Sequence, residues 1–110
     1  MLLVKEIYNL IGTLPKEERY CLSDQLRRSS ISIVLNIAEG TGGLGDTEFR
    51  SFLRNALKSL YETIAGLKIV EMLYGVQIKS DLDLCSTVGK ELNALINSLK
   101  TKDQKLKTND

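Results

Sequence analysis

Between residues 80 and 99 the apolar side chains fall at Leu82, Cys85, Val88, Leu92, Leu95 and Leu99. Steps of three and four keep them on one face of a helix, as in the seam of a helical bundle. The same spacing recurs upstream. Leu3, Ile7, Leu10 and Ile11 share a face. So do Leu22, Leu26, Ser29, Ser30, Ile33 and Ile37, with Ile31, Val34, Leu35 and Ala38 widening the stripe. Phe49, Leu53, Ala56, Leu60, Ile64 and Leu67 form another, thickened by Phe52, Leu57 and Val70. A chain of such stripes must bury them against one another, and a strand pairing cannot use this period.

Breaks are few. They fall at Gly12-Thr13-Leu14-Pro15, at Gly40 to Gly45, and at Gly75 to Lys79. They leave four segments: Leu2 to Ile11, about Pro15 to Glu39, Asp46 or Thr47 onward, and Ser80 or Asp81 to Leu99. Thr13 is expected to cap the second helix, with Pro15 in its first turn. Asp46 and either Ser80 or Asp81 are expected to cap the third and fourth. Ser29 and Ser30 are small and face inward, so a neighbouring helix can approach closely. Short connections make sequential helices antiparallel neighbours. The expectation is all-α: an antiparallel up-down-up-down four-helix bundle with a short first helix, over residues 1–99. Residues 100–110 lose the pattern and carry four lysines, two aspartates and a single leucine, Leu106; they read as a basic, disordered tail.

Composition narrows the function. Histidine is absent, which removes Ser-His-Asp triads, Cys-His dyads and histidine metal sites together. No metal and no cofactor is expected, nor catalysis. The formal charge is +1, unlike a strongly basic nucleic-acid binder. No stretch is long and apolar enough for a membrane span, and nothing at the start reads as a signal peptide, so a cytoplasmic protein is expected. Cys21 and Cys85 read as free core thiols. In an up-down bundle they would lie at the same end.

Gly40, Gly42 and Gly45 spell G-x-G-x-x-G, but a helix precedes them and no βαβ unit surrounds them. They read as a turn rather than a nucleotide loop. Free N–H groups before the third helix could at most accept an RNA phosphate. Arg50, Arg54 and Lys58 stand four apart on the outer side of the third helix and, with Arg27 or Arg28 and the lysine tail, could form a basic stripe. Asn36 and Glu39 share a face with Ser32 close to the apolar stripe. A carboxylate there needs a partner, so a structural network of Asn36, Glu39, Glu62 and an arginine is expected between helices.

Several of these residues form a distinctive pattern: Leu14-Pro15-Lys16-Glu17-Glu18, Gln25-Leu26-Arg27-Arg28-Ser29, Ser32-Ile33 and Asn36-Ile37-Ala38-Glu39-Gly40. It continues through Glu48-Phe49, Phe52-Leu53, Ala56-Leu57, Ser59-Leu60 and Glu62. The chain resembles the bacterial four-helix bundle family known as 23S rRNA intervening-sequence proteins, from Leu3 to Leu73 with the register kept. The resemblance implies a homo-oligomer, commonly a ring-like pentamer. It also implies kinship with accessory proteins of diversity-generating retroelements, which engage reverse transcriptase and nucleic acid. Two readings follow. In one, an oligomeric scaffold holds structured RNA on a basic surface repeated in every copy. In the other, the bundle docks a protein partner such as a reverse transcriptase, without touching nucleic acid. The chain departs from the family pattern at Val34-Leu35, where a small or proline-containing pair is usual, and in a first helix that starts late. Either the start is truncated or a partner subunit covers the exposed flank.

Overall fold

The computed structural model describes residues 1–43 and 45–108, with side chains through Leu99. Four helices account for nearly all of it: α1 (Leu2–Ile11), α2 (Leu22–Gly40), α3 (Asp46–Tyr74) and α4 (Lys79–Thr108). No strand occurs among the described residues. α2 packs on α1 and α3, and α4 packs on α3 and α1, so the helices close a four-helix bundle in chain order.

The α2–α3 contact shows the direction. The hydroxyls of Ser29 and Thr63 are hydrogen-bonded at 2.8 Å, and Ser59 donates to Ser32 at 2.8 Å. Gly66 meets Leu26, and Gly40 meets Phe49 and Phe52. As numbers rise on α2 they fall on α3, as in an antiparallel pair. The core around this contact is Leu3, Ile7, Leu26, Ile33, Leu53, Leu60, Leu67 and Val70, all 1 % exposed or less. Ser29 and Ser30 are buried within it, as their size and spacing predict. They let the helices close up where larger side chains would hold them apart.

Four local details differ from the sequence reading. α2 begins at Leu22 rather than near Pro15, after a 3₁₀ turn at Lys16–Glu18. Between Leu14 and Leu22 the least polar side chains are Pro15, Tyr20 and Cys21, all exposed, so no buried stripe holds those turns as α-helix. Thr13 does not cap α2; its hydroxyl donates to the Leu10 carbonyl at 2.7 Å and closes α1 instead. Asp46 is the first residue of α3, after Gly45 at φ 97°. α4 starts at Lys79, which places Asp81 inside its first turn, where it is buried. Of the glycine stops, Gly75 adopts the left-handed conformation that ends α3 (φ 64°).

The α4 seam buries Cys85, Leu92, Ile96 and Leu99, while Leu95 leans outward. It does so because α1 spans only about 15 Å against about 44 Å for α3. Met1 reaches the level of Leu92 and Leu95, and beyond it the bundle has three helices rather than four. α4 itself continues past Leu99 to Thr108, into the stretch read as a disordered tail; residues 109 and 110 of that stretch lie outside the described residues.

Candidate nucleic-acid and protein interface

Arg54 and Lys58 lie exposed, one turn apart, on the outer side of α3. Arg50, a further turn back, is half-buried and engaged in an interaction of its own. Arg27 and Arg28 do not extend this stripe. Asp24 takes both, Arg28 Nε at 3.0 Å and Arg27 Nη1 at 3.5 Å. Arg27 also lies 5.9 Å over the ring of Tyr8 on α1. The Ser32–Ser59 pairing sets Arg28 more than a turn beyond Lys58 along the bundle. One carboxylate offsets much of the charge these arginines would have added. Surface pairs of this kind add little stability, so their main effect is on the local field.

The expected network of Asn36, Glu39 and Glu62 does not form. Asn36 donates to the Ser32 carbonyl at 2.8 Å and to the Ser32 hydroxyl at 3.1 Å. Glu39 and Glu62 are exposed, and their carboxylates take part in no hydrogen bond or ion pair among the described residues. The polar seam is built from hydroxyls instead: Ser29, Ser32, Ser59 and Thr63, with Asn36 at its edge. A hydroxyl can be satisfied by a neighbouring hydroxyl or carbonyl at little cost, whereas a carboxylate in the same place would need a desolvated cation. Ser59 and Thr63 were legible as small hydroxyls four apart beside Gly66.

The glycine-rich segment is a helix-to-helix turn. Gly40 is buried against Phe49 and Phe52, and Gly43 and Gly45 have positive φ. Asp46 and Glu48 occupy the first turn of α3, which sets carboxylates where a phosphate would sit. Leu44 lies outside the described residues.

The cysteines divide. Cys85 is buried, and burial, with Asp81 nearby, pushes its thiol up to about 11. Cys21 is exposed, not in the core, because it falls in the irregular turn before α2. Both are free thiols. No group of three or more His, Cys, Asp and Glu side chains suited to a metal occurs among the described residues.

Asp81 makes a test of burial. Desolvation first, then the Glu6 carboxylate on α1, raise its pKa above the usual 3.8. These outweigh the helix-dipole benefit of an acid in the first turn of α4. A raised carboxyl pKa contributes stability that is full below the unfolded-state value and is lost as pH rises through the folded one. Asp81→Asn is therefore expected to raise the denaturation midpoint at pH 7 and to change it little at pH 4. Equal effects at both pH values would contradict this.

The most prominent surface feature is apolar. α1 and α2 leave an open groove of about 470 Å³ lined by Met1, Val4, Tyr8, Ile31, Val34 and Leu35, with Lys5 at its rim. Leu35 is 58 % exposed and Met1 52 %. A second exposed apolar strip runs along the end of α3 through Tyr61, Ile69, Met72 and Leu73. This groove lies on the flank beside the short first helix, where the widened α2 stripe calls for a partner subunit or a docked protein.

No helix among the described residues is long and apolar enough to cross a membrane. The family model for 23S rRNA-intervening sequence protein matches residues 1–98. A similar solved structure is the crystal structure of a protein with unknown function from the S23 ribosomal protein family of Bacteroides thetaiotaomicron. It is 26 % identical, with a TM-score of 0.67, and the match covers 88 % of this chain and 90 % of that one. No curated protein matches the chain.

Proposed function

The chain belongs to the 23S rRNA-intervening sequence protein family, a family for which no catalytic activity is indicated, and on that premise we propose that it is a non-enzymatic oligomeric scaffold that holds structured RNA. The observation that carries this reading is the α1–α2 groove. Monomeric proteins rarely leave a contiguous apolar surface of this kind uncovered. The strip along α3 lies on a different part of the surface, so contact between unlike patches on successive copies would be heterologous, the kind of contact that builds a ring when the rotation between copies closes. Five copies is the number the family resemblance suggests. Arg54 and Lys58 would then be repeated around the ring. Two cations per copy bind a phosphate backbone weakly, but several copies on one RNA add up. The basic surface is smaller than the sequence suggested, because Asp24 holds Arg27 and Arg28.

The Val34-Leu35 pair also favours a second reading, in which the groove receives a protein partner such as a reverse transcriptase instead of another copy. Sedimentation of the purified full chain separates the two. The scaffold reading predicts a particle several times the 12.3 kDa chain mass. A monomer at micromolar concentration would contradict it and move the groove to a foreign partner.

A further inference from the structure

Where the chain turns from α1 into α2, it folds around a recess of about 230 Å³. Ile11 and Leu14 form one wall, Lys16 and Arg19 come from the 3₁₀ turn and the residues after it, and Ser23 and Arg27 come from α2. Pro15 completes the lining, and three of the seven residues carry positive charge. Arg27 shares the Asp24 carboxylate with Arg28, at 3.5 Å and 3.0 Å. Lys16 and Arg19 have no ion pair among the described residues. The nearby acids are occupied or directed elsewhere: Glu18 accepts a hydrogen bond from the Tyr74 hydroxyl at 2.7 Å, and neither Glu17, Glu18 nor Asp24 lines the recess.

Ser23, in the first turn of α2, lines the recess. The N-cap of α2, Cys21, makes no side-chain hydrogen bond. The helix's first backbone bond runs from Gln25 N–H to the Cys21 carbonyl at 2.9 Å, so the amides of Leu22, Ser23 and Asp24 lack acceptors within the helix. Ser23 supplies the second, independent sign. It is only 4 % exposed, yet its hydroxyl enters no hydrogen bond among the described residues. No fully buried side-chain oxygen among those residues is without a partner, so the Ser23 oxygen keeps an opening to solvent. The recess that its side chain lines is that opening. An unpartnered hydroxyl and two cations free of ion pairs, Lys16 and Arg19, line one small volume, with Arg27, held by Asp24, beside them.

We propose that this recess binds a phosphomonoester. A tetrahedral dianion presents three terminal oxygens, matching a hydroxyl and cations that come from two elements; a carboxylate presents two. A phosphodiester has chain on both sides and only two terminal oxygens, whereas a terminal phosphate offers three to the recess. Ile11 and Leu14 would then lie beside the carbon substituent of the phosphate. The site is separate from Arg54 and Lys58, which do not line it, and it stands whether or not those residues hold RNA.

The test is calorimetric titration of the full chain with inorganic phosphate, then with adenosine monophosphate against adenosine. Saturable phosphate binding is expected, with the nucleotide binding and the nucleoside not. The Lys16→Ala/Arg19→Ala double variant should lose at least about tenfold in affinity and Ser23→Ala about threefold. All three substitutions leave apolar packing intact, so unchanged melting temperatures without phosphate serve as the folding control. Arg54→Ala/Lys58→Ala should bind phosphate as the wild type does, which separates this site from the proposed RNA surface. Short oligoribonucleotides with and without a 5′-phosphate identify the source. A 5′-phosphate advantage lost in the Lys16/Arg19 variant assigns the recess to strand ends; phosphate and nucleotide binding without that advantage assigns it to small phosphorylated molecules. Absence of saturation up to about 20 mM phosphate, or equal affinity in the Lys16/Arg19 variant, overturns the proposal.

Discussion

Leu26→Ala should cost roughly 3–5 kcal/mol of folding stability, a large share of the 5–15 kcal/mol typical of a domain. Leu26 is fully buried and packs directly over Gly66 of α3. A Cβ built on Gly66 would lie 2.7 Å from Leu26 Cδ2 and 3.2 Å from its Cγ. The two residues therefore share one volume, filled entirely from the α2 side. Removing the leucine leaves a cavity that the backbones cannot collapse, because the Ser29–Thr63 and Ser32–Ser59 bonds fix the helix separation on the same seam. Gly66→Leu alone should destabilise by about 1–3 kcal/mol or more through overpacking, despite the better helix propensity of leucine. Combining the two should recover part of the loss, because the side chain is then supplied from α3. Chemical denaturation of the four proteins gives the coupling energy directly. Additive losses would mean that Leu26 and Gly66 do not share a volume.

Val34→Glu with Leu35→Glu should dissociate the assembly while leaving the single bundle folded. Both side chains are exposed on the individual chain, 36 % and 58 %, and glutamate is a better helix former than valine. Folding of one copy therefore loses little. In the assembly the same positions would be covered, and an unpaired carboxylate in a covered apolar groove costs at least about 2 kcal/mol. Each contact would weaken by roughly thirtyfold, and a ring multiplies that loss over its contacts. Sedimentation should give the wild type as a large particle and the variant as a monomer, with circular dichroism unchanged. Loss of helicity in the variant would show instead that these side chains support the single chain.

The helices were legible because their stripes are long and punctuated. Leu92 and Leu99 sit where a bundle seam requires them, and the Gly40–Gly45 and Gly75 breaks are true turns. The inward-facing serines were also legible, since only a close helix neighbour explains small polar residues within an apolar stripe. What local pattern could not show was competition between partners. Arg27 and Arg28 look available until Asp24, three and four residues earlier on the same helix, takes them. Glu39 lies beside the stripe in projection but looks outward once α3 has chosen Ser32 and Ser29 as its contacts. Asp81 looks like a cap until α4 starts two residues sooner and α1 covers it. The 3₁₀ turn after Pro15 was hidden because its charged residues are good helix formers with nothing to bury. Each miss depends on where another helix lies.

RNA retention by the repeated α3 cations is the claim on which the functional account turns. It is tested by fluorescence anisotropy of a labelled, structured rRNA-like hairpin, titrated with nuclease-treated protein across a range of salt. The account predicts binding at micromolar concentration or tighter, with log K falling steeply against log salt, because several copies each release counterions. Arg54→Glu/Lys58→Glu should abolish it. Absence of binding at low salt, or binding indifferent to both salt and those two substitutions, would contradict the account.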